Sequence, residues 1–159
     1  MTITEKAELI SAGPGEGESL WVMGSRWTLK AADMQTRGAY ALSETTLVAG
    51  GEPPPHIHHS EDEAIYLLEG NLSFQVGDQK FERGPGSYVF MPKDVPHEFT
   101  VQGGEETRVL FIFSPPGIEG FFRGVGLPGD SERPPPPPEG PPAPEVVKLI
   151  EQHGLEFVG

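Results

Sequence analysis

The stretch Gly50-Gly51-Glu52-Pro53-Pro54-Pro55-His56-Ile57-His58-His59-Ser60-Glu61-Asp62-Glu63 decides the fold of this 159-residue chain. Gly50-Gly51 and the three prolines end one strand, and His56-Ile57-His58 begins another. Side chains alternate faces along a strand, so His56 and His58 point the same way, roughly 7 Å apart. Two imidazoles so placed grip one metal ion, which then needs a third and a fourth ligand. Glu63 is close enough in sequence to curl back from the next strand. Of the five histidines, His56, His58, His59, His97 and His153, His97 is the natural third imidazole, because it follows the run Ser87–Met91 and the turn at Pro92. Three neutral imidazoles and a carboxylate leave a divalent site with net positive charge and room for water or substrate.

The sequence around this stretch reads as strands. Leu20–Met23 and Trp27–Leu29 flank a turn at Gly24-Ser25, and Ala39–Val48 follows. Between His56 and Ser114 turn signals recur at Glu69-Gly70-Asn71, Gly77-Asp78, Arg83-Gly84-Pro85-Gly86, Pro92-Lys93-Asp94 and Gln102-Gly103-Gly104. The runs between them (Ala64–Leu68, Leu72–Val76, Ser87–Met91, Glu98–Val101 and Arg108–Phe113) are rich in Val, Ile, Phe, Tyr and Leu, with no competing helical period. Regularly spaced strands of this kind make an all-β sandwich or barrel. The chain divides into an N-terminal arm (1–19), a barrel (20–127), a proline-rich linker (128–144) and a C-terminal helix and tail (145–159). Ile118–Phe122 has the length of one helical turn. In the last segment Pro144 suits a first turn and Gly154 a stop.

The spacing resembles the two motifs of the cupin superfamily. The first is a glycine, five residues, His-x-His, four residues, Glu, six residues and Gly, and it runs here as Gly50, His56, His58, Glu63 and Gly70. The second runs as Gly86, Pro92, Asp94, His97 and Val101, with Asp94 for the usual Gly and Val101 for the usual Asn. Neither departure touches a ligand position, and Asp is a common turn former. The resemblance implies a double-stranded β-helix (jelly-roll) barrel carrying one divalent transition metal, Fe, Mn, Ni, Co, Cu or Zn, on His56, His58, Glu63 and His97. The segment Phe113–Phe122 resembles small single-domain cupins of the quercetin 2,3-dioxygenase type. That likeness implies O₂-dependent cleavage of an enol-containing, flavonol- or diketone-like small molecule, with Glu63 as the catalytic base. A non-oxidative isomerase or cyclase, and a non-catalytic small-molecule-binding cupin, stand as alternatives.

Other residues have plainer readings. Glu61 and Asp62 belong to an acidic run, and most such runs are solvated surface. His59 has the opposite strand parity from its neighbours and faces solvent or sits behind the ligands. His153 lies at a helix C-terminus, where an imidazole is at home electrostatically. By alternation Ile65, Leu67 and Phe99 face the ligand side and line either a substrate pocket or simply the core. Phe121 and Phe122, among glycines, cap the barrel mouth as a lid or pack in a dimer contact.

Composition narrows the function further. There are no cysteines, which excludes disulfides and thiolate chemistry. A net charge of −13 opposes nucleic acid and anionic membrane surfaces. The start of the chain lacks a signal-peptide pattern and no apolar run reaches bilayer length, so a cytoplasmic protein is expected; a small-molecule substrate with O₂ as co-substrate is what the resemblance implies, and a homodimer is the expected assembly. The 21 glycines and 18 prolines come near the level of low-complexity chains. Nine of the prolines fall between Pro128 and Pro144, where a stiff spacer is the plain reading and an SH3-type ligand the sharper one. Most of the remaining Gly and Pro punctuate turns.

Overall fold

The computed structural model describes residues 8–104, 106–130, 134–135 and 139–158. Strands β1 (Glu18–Val22) and β2 (Ser25–Ala31) form a hairpin. Its two connecting residues, Met23 and Gly24, have φ of 53° and 85°, the left-handed pair that a right-twisted two-residue hairpin needs. In β2 and in β3 (Ala41–Leu47) every second residue is buried, as alternation with one face on a core requires. The chain continues through β4 (His56–His58), β5 (Asp62–Glu69), β6 (Leu72–Val76), β7 (Gln79–Arg83), β8 (Tyr88–Met91), β9 (His97–Val101) and β10 (Thr107–Ser114). After these come α1 (Glu119–Val125), β11 (Leu127–Pro128), α2 (Pro144–Gln152) and β12 (Leu155–Phe157).

These strands make two antiparallel sheets. One has seven strands in the order β11-β1-β2-β3-β10-β5-β8, the other five in the order β12-β4-β9-β6-β7. Their inner faces share one core, in which Leu47, Ile65, Leu67, Leu72, Val109 and Phe111 are fully enclosed. Trp27 stacks on Phe111 with ring centroids 4.5 Å apart and lies equally close to Phe122. Aromatic rings thus connect the seven-stranded sheet to α1. The all-β jelly-roll and the short C-terminal helix both stand as the sequence implies. No helix among the described residues is long and apolar enough to cross a membrane.

Three elements differ from the sequence reading. β7 carries one apolar residue, Phe81, among four polar ones, so hydrophobicity gives it no strand signature, yet it pairs along its length with β6. The tail after α2 is also a strand: β12 pairs with β4, Leu155 opposite His58 and Phe157 opposite His56. Pro128, read as the start of the linker, pairs with Leu20. Within the linker, residues 131–133 and 136–138 lie outside the described residues, as do residues 1–7 of the N-terminal arm.

Candidate metal centre

His56, His58, Glu63 and His97 are all buried, and their nearest ligand atoms all lie within 4.8 Å of one another. Strand register assembles them. β4 presents His56 and His58 on one face, and His97, the first residue of β9, pairs directly with His56. Glu63 comes from β5 in the other sheet, opposite Phe113 of β10 and Met91 of β8. Three imidazoles from one sheet therefore face one carboxylate from the other.

Each imidazole is held from behind by its Nδ1. His56 Nδ1 donates to the Pro54 carbonyl at 2.8 Å, His58 Nδ1 to Glu61 Oε1 at 2.6 Å and His97 Nδ1 to the Val95 carbonyl at 3.2 Å. With Nδ1 carrying the proton, the three Nε2 atoms are the ones turned toward the shared centre. His58 Nε2 lies 3.1 Å from His56 Nε2, and both His58 Nε2 and His97 Nε2 lie 3.0 Å from Glu63 Oε2. Lone pairs from three imidazoles and a carboxylate, crowded together out of water, repel unless a cation sits among them. This donor set fits a divalent transition ion, which takes imidazole nitrogen and carboxylate oxygen together.

Without an ion, a proton fills that role. Burial lowers His56 to about 4, with Glu63 opposing the shift and the other two imidazoles adding to it. Burial also disfavours charge on His58, but Glu63, together with Glu61 on the other nitrogen, outweighs it and raises His58 to about 9. Glu63 is enclosed as well. Burial works to raise its pKa, yet His58 first and then His97 hold it well below the usual carboxylate range. The metal-free centre is thus a buried His58–Glu63 ion pair flanked by a neutral His56.

Glu61 corrects the sequence reading. It is 3% exposed and hydrogen-bonded to His58, not part of a solvated acidic run. Only Asp62 keeps the surface role, accepting from the Lys93 amide at 2.9 Å. A single acidic run carries no signal that one member turns inward. His59 does face solvent, its Nδ1 2.7 Å from Asp94 and its Nε2 2.7 Å from Glu156. Asp94, at the position of the usual glycine, has φ 67°, a left-handed conformation that Asp tolerates better than most residues with a side chain. His153 caps α2, its Nδ1 2.8 Å from the Leu149 carbonyl.

A cavity of about 40 Å³ adjoins the cluster. Phe99, Phe121 and Phe122 line it together with Phe113, while Ile65 and Leu67 lie outside its lining, in the core. Phe121 and Phe122 are 6% and 7% exposed. Phe122 packs on Trp27 and Phe113 within the same chain, and Phe121 lies against Phe122 and His153. Sequence reasoning did not place Leu155 and Phe157 here; both line the cavity from β12.

Two facing antiparallel sheets hold three imidazoles and a carboxylate between them, and residues 43–113, just under half of the chain, match the cupin domain family. Quercetin 2,3-dioxygenase of Bacillus subtilis (strain 168) is 25% identical over 114 residues, covering 72% of this chain and 34% of that protein. The chain thus spans about a third of that relative's length. Polyketide synthase CurC of Streptomyces cyaneus is 32% identical over 60 residues, 38% of this chain and 39% of that one. Among solved structures, an RmlC-like cupin from Shewanella frigidimarina superposes with a TM-score of 0.58 at 16% identity, covering 72% of this chain and 99% of that one. Pac13, described as a nucleoside dehydratase, gives a TM-score of 0.58 at 11% identity over 80% of this chain and all of that one. At such identities the structural likeness speaks to the fold.

Proposed function

We propose that this cupin is a divalent-metal-dependent dioxygenase that cleaves an enol-containing small molecule of the flavonol or 1,3-diketone kind. The observation that carries this reading is the convergence of three Nε2 atoms and Glu63 Oε2, with each Nδ1 anchored outward. His56, His58, Glu63 and His97 would hold the ion. When bound, it would supply Lewis acidity toward an enolate oxygen and open positions for dioxygen. Glu63 Oε2 takes the acidic enol proton. Phe113, Phe121 and Phe122 keep water from the reacting atoms. Dioxygen is the oxidant, and both of its atoms end in the product. The relation to quercetin 2,3-dioxygenase supports this choice of chemistry.

The hydrogen-bonded chain His58–Glu63–His97 favours a second reading, a non-oxidative isomerase or lyase, because it can move protons without redox change. Oxygen uptake separates the two. Metal-free protein is loaded in turn with Mn, Fe, Co, Ni and Cu and given flavonols and 1,3-diketones in an oxygen electrode, with ¹⁸O₂ labelling of product. Uptake of one O₂ per turnover, with two labelled atoms in the product, supports the dioxygenase. Turnover without uptake transfers the assignment to the non-oxidative class.

A further inference from the structure

The centre is enclosed on most sides, and its walls, which also include Met23, Gly51 and Pro53, are unequal. A pocket for an organic substrate commonly measures a few hundred Å³ or more, whereas the cavity here is about 40 Å³. Anything larger than a few waters enters only if a wall moves. Phe113 and Glu63 sit in the interior of the seven-stranded sheet, paired along β10 and β5. Phe121 and Phe122 belong to α1, rooted by the buried Ile118 and Glu119. The wall made by β12 is different. It is three residues long, lies at the edge of its sheet and, among the described residues, pairs with β4 alone.

The element preceding β12 is held just as lightly. α2 has no fully buried side chain, and it rests on α1 where two glycines leave room. A Cβ on Gly120 would come within 2.8 Å of His153 Nε2, and one on Gly124 within 2.6 Å of Leu149 Cδ1. Segments with few buried apolar groups at a sheet edge open at the lowest free energy. Because paired residues of antiparallel strands face the same side, Leu155 and Phe157 look onto the cavity beside His58 and His56. The Phe157 ring centroid lies 6.1 Å from that of His56. Phe157 is also 39% exposed, so it stands at the boundary between cavity and solvent.

We infer that the C-terminal segment Pro144–Phe157 is the cover of the metal centre: it admits substrate by unpairing β12 from β4, and Leu155 and Phe157 limit the size of what fits. This deepens the proposed function and rests on it in placing substrate beside the histidine cluster.

The chain has no cysteine, so a reversible lock can be built without interference. Ile57 and Glu156 are opposed in the β4–β12 ladder, and the spacing of such a pair falls in the range a disulfide spans. In metal-free Ile57→Cys/Glu156→Cys protein, diethyl pyrocarbonate modification of His56, His58 and His97 is followed by peptide mass mapping, with a short histidine peptide added in solution as internal standard. Each single-cysteine variant serves as control. Oxidation is expected to slow modification of the three buried imidazoles at least tenfold, and reduction to restore it. Equal rates in the oxidised and reduced forms would overturn the proposal, since access would then come through another wall. Gly124→Leu, which displaces Leu149 and loosens α2, is expected to speed modification at least threefold; an unchanged rate counts equally against the cover.

The same variants loaded with Co²⁺ are then stripped with a chelator, and the order of rates should be the same. Protein that takes up no Co²⁺ refutes the metal reading while the modification rates still decide the cover. Protein that binds Co²⁺ but shows no effect of the lock in either assay refutes the cover alone.

Discussion

At the scale of single residues, the group that matters beyond the four candidate ligands is Glu61. Its 2.6 Å hydrogen bond fixes the His58 ring and raises the basicity of Nε2. Outer carboxylates of this kind change metal affinity by about 10–100-fold when lost. Glu61→Gln is therefore expected to weaken Co²⁺ or Ni²⁺ binding by that order in a chelator competition. His59→Ala should leave affinity where it is, because the His59 side chain bonds Asp94 and Glu156 at the surface, and His58→Ala should abolish retention. The same residues set a pH dependence. With His58 held at about 9 and His56 at about 4, an ion arriving at neutral pH displaces the His58 proton. Affinity should thus rise close to tenfold per pH unit from 6 to 9, with about one proton released per ion, measured by calorimetry in buffers of different ionisation enthalpy. For the metal-free fold the sign runs the other way. A raised His58 contributes stability in full below its unfolded value of about 6.5 and loses it as pH approaches 9, so the metal-free melting temperature should fall over that interval. The spacing of the ligand set is visible in the sequence. Glu61 is not, because its inward turn depends on how β4 passes into β5, which an acidic triplet does not encode.

At the scale of elements, strands with one buried face are legible because their apolar residues alternate, as in Thr107–Ser114. β7 and β12 are not. β7 is an edge strand with little to bury, and β12 is three residues long, joining its sheet through backbone bonds with one buried side chain, Leu155. Connections between elements are equally hidden, and Glu119 illustrates it. It is 1% exposed, and its carboxylate accepts from the Asp33 amide at 2.8 Å and from the Gly117 amide. Those bonds tie the loop after β2 to the start of α1. Arg123, outside, completes the tie with paired contacts to Asp33 at 2.9 and 3.1 Å, but as an exposed ion pair it contributes little. Glu119→Ala strands the two amides that it satisfies and should cost about 1–3 kcal/mol, read from the urea midpoint. Arg123→Ala should stay within about 1 kcal/mol.

At the scale of the whole molecule, the aromatic core and the walls of the centre are the same residues. Trp27, Phe113 and Phe122 pack on one another, and Phe113 also lies with its ring centroid 6.0 Å from that of His58. A substitution at Phe122 therefore acts on stability and on the site together. Phe122→Ala removes a buried ring and should cost about 3–5 kcal/mol, a large part of the 5–15 kcal/mol that holds a domain of this size. The space it leaves joins the existing cavity, and the neighbouring walls, Trp27, Phe113, Ile118 and Phe121, are apolar. An enlarged apolar cavity stays dry and takes up small apolar molecules, and a ligand that binds only the folded state stabilises by mass action. The Phe122→Ala protein should accordingly melt well below the parent and recover part of the loss in benzene-saturated buffer, whereas the parent, with about 40 Å³ to offer, should show no such rise. If benzene raises the two melting temperatures equally, the cavity has collapsed around the missing ring, and the aromatic wall is more pliant than its packing implies.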